Sequence, residues 1–106
     1  MRAMRQLTIK TSLLNDIIAL PQKEARQIND KIQMLMRDPT PDGKTKKRLK
    51  HIPGKFCRLR CGNYRLIYIY NEHNLGIVAM RRRNESTYDD DDLDIDLLGE
   101  SNVLPE

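Results

Sequence analysis

Tryptophan is absent from this 106-residue chain, phenylalanine occurs once and tyrosine four times. Aromatic side chains can therefore supply only a small share of any core. At 39% hydrophobic residues the chain can still enclose one thin core, and its length suits a single domain. Long apolar runs are lacking too. No stretch approaches the roughly 18 residues that a membrane-crossing helix needs, and the N-terminal MRAMRQLTIK has no apolar centre of the secretory kind. These absences predict a cytoplasmic protein with no membrane partner. Cysteine is scarce: Cys57 and Cys61 lie four apart, without CxxC spacing or a neighbouring histidine. They read as reduced core thiols, and neither a metal nor a cofactor is expected.

Positive charge is missing from the last part of the chain. All 19 Lys and Arg residues lie at or before Arg83, whereas residues 89–106 carry 8 acids and no base. Residues 1–88 thus combine 19 basic with 7 acidic side chains for a net +12, against −8 in the remainder. A body this basic predicts a polyanionic partner whose affinity falls as salt rises. The segment DDDDLDIDLLGESNVLPE has too few apolar residues and too much like charge to fold alone. The expected organisation is a domain over 1–88 and an acidic C-terminal tail over 89–106, flexible or docked on the basic surface.

Leu7-Thr8-Ile9-Lys10 alternates like a short strand, and Thr11 or Ser12 offers a hydroxyl to cap a helix. Leu13, Leu14, Ile17, Ile18 and Leu20 predict the buried side of that helix, and Pro21 ends it while suiting the first turn of the next. A second helix is predicted from about Gln22 to Arg37, with Ala25, Ile28, Ile32 and Leu35 on one face. Asp38-Pro39 and Pro41-Asp42-Gly43 then start a basic loop. From Phe56 the period changes to two. Strands are expected over 56–61, 64–71 and 75–82, with Gly62-Asn63 as a two-residue hairpin turn. The fold class is α+β, in the order β-α-α-β-β-β: a small antiparallel sheet with a two-helix hairpin on one face.

Strict alternation separates Phe56, Arg58 and Arg60 from Cys57, Leu59 and Cys61. The arginines are assigned to the face without helices. With Arg65 on the paired strand and Arg81, Arg82 and Arg83 closing the last one, they are expected to converge on a single cationic surface. The guanidinium fork bonds phosphate oxygens in pairs and keeps its charge, and a ring such as that of Tyr88 stacks on an unpaired base. A solvated sheet face, with Tyr88 serving as packing, is the plainer alternative. Lys44, Lys46, Lys47, Arg48 and Lys50 would follow a phosphate backbone or keep the loop in water. Lys55, Arg60, Arg81 and Arg83 are further candidate nucleic-acid contacts. His51 is a candidate base in that loop, although a solvated loop histidine is the simpler reading, and His73 is assigned to a turn.

ALPQKEARQINDKIQMLMRDP, GKTKKRLKHIPGKFCRLRCGNYRLIYIY and RRRNESTY together resemble the RelE/ParE superfamily of type II toxins, over roughly Leu7 to Tyr88. GNYRLIY is the most specific stretch, being followed some fifteen residues later by an Arg and then a Tyr, as in the family pattern. The resemblance is closer to the RelE branch, an mRNA interferase group. It implies a metal-independent endoribonuclease that cuts mRNA on the ribosome, with the RNA's own 2′-hydroxyl as nucleophile. By motif position it implies Arg65 as the phosphate-binding arginine, Arg82 as the arginine of the transition state and leaving group, and Tyr88 as the stacking tyrosine. Arg58 and Phe56 stand where such toxins have catalytic lysines, with Lys55 adjacent. Arginine is a poor general base, so this departure bears on proton abstraction rather than on phosphate binding.

The resemblance also implies a cognate antitoxin, with Ile67 and Ile69 on the outer sheet face as part of its interface. Two other functions remain open at this point. One is the ParE-like inhibition of DNA gyrase by binding, and the other is a non-catalytic binding module of the same fold. The tail presents two readings as well: a solubilising extension, or a mimic of RNA that lays Asp89–Asp92 on Arg58, Arg65 and Arg82.

Overall fold

In the computed structural model, residues 4–49 and 55–82 are described. The elements run β1 (Gln6–Ile9), α1 (Thr11–Ile18), α2 (Gln22–Arg37), β2 (Lys46–Arg48), β3 (Cys57–Cys61), β4 (Tyr64–Tyr70) and β5 (Asn74–Arg82). They form one five-stranded sheet in the order β1-β5-β4-β3-β2. The α+β class and the helical pair on a sheet are as expected from the sequence. Two features of the sheet differ. The pairing of β1 with β5 is parallel, so the sheet is mixed, and part of the basic loop, Lys46–Arg48, pairs with β3 as an edge strand. Charged lysines on an edge discourage pairing with another chain, which suits β2 to its place.

The second helix occupies the span that its periodicity predicts. Ile28, Ile32 and Leu35 are buried at spacings of three and four, and Pro21 stands at its N-cap, where its missing N–H costs nothing. α1 departs from expectation in two ways. No side chain caps it, and Lys10 takes the N-cap position. Of its apolar residues Ile17 alone is buried, while Leu14 and Ile18 are 41% and 67% exposed. Two helical turns present too narrow a face to bury five apolar side chains.

The hairpin from β3 to β4 turns at Gly62, whose φ of +58° is open to glycine and strained for most other residues. A Cβ there would also approach the Gln27 side-chain oxygen at 3.3 Å. The turn from β4 to β5 is held by Asn71, whose Oδ1 accepts the backbone N–H groups of His73 at 3.0 Å and Asn74 at 2.8 Å. Between Ile67 and Tyr68 the register with β5 shifts, leaving Val78 as an extra residue.

The main core lies between helices and sheet. Ile28, Ile32 and Leu35 pack there with Cys57, Leu59, Cys61, Tyr64, Leu66, Tyr68, Leu75 and Ile77. Tyr68 is fully buried, and its hydroxyl donates to the Pro39 carbonyl oxygen at 2.7 Å. Tyr64 donates to a Glu24 carboxylate oxygen at 3.0 Å, tying the start of β4 to α2. A second cluster of Leu49, Phe56, Ile67, Val78 and Ala79 lies apart from the helices. Ile67, expected to be available to a partner, is 1% exposed and already packed within that cluster; Ile69 is half-buried against it.

Cys57 and Cys61 are both buried and free, as expected of core thiols. Burial raises both thiols above their ordinary value of 9.0 and, to a greater degree, raises the Tyr68 phenol. These groups stay protonated in the fold, while the unfolded chain releases their protons from about pH 9 upward. Folding stability should therefore hold up to about pH 8.5 and fall at higher pH. In urea titrations from pH 7 to 10.5, the Cys57→Ala, Cys61→Ala variant should lose less stability across the first part of that fall. Tyr68→Phe should lower unfolding free energy at pH 7 by about 1–2 kcal/mol, since the buried Pro39 carbonyl loses its donor.

Candidate nucleic-acid interface

The face of the sheet turned away from the helices is set by register. Arg60, Arg65 and Arg81 are direct partners across β3, β4 and β5, and Lys47, Arg58, Ile67 and Ala79 form the neighbouring row from β2 to β5. Directly paired residues project from the same side, so Lys47, Arg58, Arg60, Arg65 and Arg81 share one surface. It grades from arginine at the Gly62 end to the Phe56–Ile67 cluster further along the strands. Of the six arginines expected to converge, Arg58, Arg60, Arg65 and Arg81 share this face.

Exposure differs along the two rows. Arg60, Arg81 and Lys47 are exposed, Arg65 is half-buried, and Arg58 is 6% exposed. Sequence reasoning took Arg58 for an open cationic side chain. In the fold it is the buried floor beside an exposed rim, flanked by Lys47 and Ile67. Like charges placed directly opposite one another destabilise a sheet. Three arginines abreast on three strands are such an arrangement, and a bound polyanion would offset its cost.

The remaining candidates divide. Arg82 pairs with Tyr64, which belongs to the helix-side core, so it projects from the opposite face to Arg81 and lies exposed at the end of β5. Lys46 and Arg48 pair with Leu59 and Cys57 and also point to the helix side. The Lys46 ammonium donates to the Asp38 carbonyl oxygen at 3.0 Å. Lys44 and Lys55 are exposed. Lys50, His51, Arg83, Tyr88 and the acidic segment 89–106 lie outside the described residues.

Lys47 is the one residue of the stretch 44–48 that joins the arginine surface. Its sequence signal was the phase it shares with Arg58 once 46–48 is read as a strand. The loop before it is tightly held. Asp42 Oδ1 accepts the backbone N–H groups of Lys44 at 2.8 Å and Lys46 at 3.0 Å. These bonds, that of Lys46 first, hold the Asp42 carboxyl below its usual range. Among the described residues no group of three or more His, Cys, Asp or Glu side chains could hold a metal, and no helix is long and apolar enough to cross a membrane. What the arginine rows supply is fixed positive charge and paired hydrogen-bond donors for phosphate.

No protein-family model matches the sequence, and no curated protein matches it. Solved structures do. The RelE–RelB complex of the archaeon Pyrococcus horikoshii contains a chain that superposes with a TM-score of 0.67 at 22% identity, covering 79% of this chain and all of that one. The fold is that of the RelE toxins. An E. coli toxin RelE double mutant in the free state gives 0.60 at 17% identity, covering 96% of this chain and all of that one. The toxin–antitoxin complex RelBE2 of Mycobacterium tuberculosis gives 0.61 at 20% identity, covering 76% of this chain and all of the matched chain.

The outer face makes a quantitative expectation. Arg60→Ala, Arg65→Ala and Arg81→Ala should each weaken binding of a single-stranded RNA dodecamer and lower the slope of log affinity against log salt by about 0.7. Arg48→Ala and Arg26→Ala, on the helix side and on α2, should leave that slope unchanged in fluorescence anisotropy titrations.

Proposed function

We propose that this protein is the toxin of a type II toxin–antitoxin pair and acts on mRNA as a metal-independent endoribonuclease in the cytoplasm, cutting in the ribosomal A site. The observation that carries this reading is the paired row of Arg60, Arg65 and Arg81 beside the buried Arg58. It is a rigid, sheet-mounted cationic surface on a RelE-like fold. In this reading phosphates lie along the row, and the 2′-hydroxyl next to the scissile phosphate attacks phosphorus. The 5′-oxygen of the following nucleotide leaves, giving a 2′,3′-cyclic phosphate. Arg65 and Arg58 hold the non-bridging oxygens and neutralise charge that develops on them. Arg82 and Tyr88 are proposed for the leaving group and for base stacking, on the strength of their motif positions. Two of the RelE-like structures are toxin–antitoxin complexes, which supports a cognate antitoxin as the partner here.

A second reading is favoured by Arg58 itself. It stands where a RelE-type toxin has a catalytic lysine and is 6% exposed, better suited to holding a phosphate than to moving a proton. A binding function without cleavage, including ParE-like inhibition of DNA gyrase, follows from that.

The test is induction of the chain from a tightly controlled promoter, with mapping of mRNA 5′ ends within minutes. The wild type should produce new cuts inside translated codons. Arg82→Ala, Tyr88→Phe should abolish them, and Arg65→Ala should reduce them at least about a hundredfold, the scale of losing an electrostatic contact in the transition state. Arg81→Ala, compared with Arg82→Ala alone, separates the arginine that shares the row from the one that matches the motif. Growth arrest with DNA-damage signalling and no cuts would assign the gyrase function instead.

A further inference from the structure

β5 outruns its neighbour. β1 pairs only with Asn74–Ile77, so among the described residues no strand bonds to the β1 side of Val78–Arg82. A groove of about 310 Å³ opens there, walled by Lys10, Leu13 and Asp16 on one side and by residues 78–81 on the other. The edge of β5 along residues 78–81 lines it, and a strand edge is where a further strand can add by backbone hydrogen bonds. Leu13 and Met80 make the helix-side wall apolar, while Arg81 projects from the opposite side with the arginine row.

The chain carries a segment that fits. Leu93, Ile95 and Leu97 alternate with Asp94 and Asp96, the period of a strand with one apolar and one acidic face. Ten residues separate Arg82 from Leu93, enough to reverse direction and return antiparallel along β5. Six residues in extended form span about 20 Å, against about 16 Å for the open edge at ~3.3 Å per residue. Paired there, Leu93, Ile95 and Leu97 would meet Leu13 and Met80, and Asp94 and Asp96 would face the side of Arg81.

We infer that Leu93–Leu98 is the occupant of this edge, docking intramolecularly as a sixth strand that carries its aspartates to the arginine face. The 8 acids of residues 89–106 against the net +12 of the preceding chain supply the charge complementarity. The backbone edge supplies the geometry, and the apolar alternate residues select the register. The docked segment competes with polyanions for Arg65 and Arg81. That consequence rests on the arginine face being the RNA surface, whereas the docking itself does not.

Hydrogen exchange of the full chain, read by mass spectrometry at two protein concentrations, tests the docking without RNA. Residues 93–98 and 78–82 should be protected, independently of concentration, and Ile95→Pro should release both segments together. Exchange of 93–98 at the rate of an unstructured peptide overturns the proposal. Protection that grows with protein concentration overturns it in favour of a second copy, and protection appearing only with an added antitoxin peptide overturns it in favour of that partner. In anisotropy titrations at low salt, Ile95→Pro and Asp94→Asn, Asp96→Asn should each tighten binding of the RNA dodecamer about three- to tenfold, as removal of a local competitor requires. Unchanged affinity in both variants, with measurable wild-type binding, overturns the competition. Absence of RNA binding in every variant counts against the RNA surface and leaves the exchange result to decide the docking.

Discussion

The turn at Gly62 joins β3 to β4 with no residue to spare, and the pairing of Cys61 with Tyr64 and Arg60 with Arg65 follows from it. In a pleated pair, a slip of a single residue carries every side chain to the other face. Here such a slip of β3 against β4 would drive Arg58 and Arg60 under α2 and turn Cys57, Leu59 and Cys61 to the outer face. Core and cationic surface are therefore two consequences of one register. Burying guanidinium groups without partners costs several kcal/mol each, so the arrangement discriminates strongly against its nearest competitor. The Tyr64–Glu24 and Tyr68–Pro39 hydrogen bonds add direction to an otherwise apolar contact between sheet and α2 segment.

Much of this was legible because it is local. α2 announces itself through Ile28, Ile32 and Leu35, and β3 and β4 through alternation that also assigns Arg58, Arg60 and Arg65 to a face. What was not legible depends on neighbours far along the chain. Lys46–Arg48 has no apolar alternation and becomes a strand only because β3 offers it an edge. The parallel contact of β1 with β5 joins segments nearly seventy residues apart. The exposure of Leu14 and Ile18 reflects what is not packed beside a short helix, and the burial of Arg58 reflects the cluster around Phe56 and Ile67. Neither is written in local periodicity.

The likeness to RelE structures at 17–22% identity establishes architecture, and architecture alone hosts more than one function. The functional argument therefore rests on particular side chains. The buried arginine at position 58 is better suited to holding charge than to transferring a proton. The half-buried Arg65 beside it is held by strands on both sides, so both guanidinium groups are mounted on rigid backbone. A surface of this kind suits extended phosphate chains better than compact anions, because its positive groups are spaced by strand separation rather than gathered at one point.

The extra residue at Val78 carries a further implication for how such a chain can change over time. Before it, Leu75 and Ile77 face the helices; after it, Met80 and Arg82 do, so one inserted residue reverses the parity of the strand's second half. Three arginines follow in succession at 81, 82 and 83. Loss of a single codon between Val78 and Arg81 would bring Arg82 abreast of Arg65, so a guanidinium would still occupy the place. The tandem arginines thus make the cationic row tolerant of a one-residue deletion in the strand that completes it, a redundancy that a lone arginine could not provide.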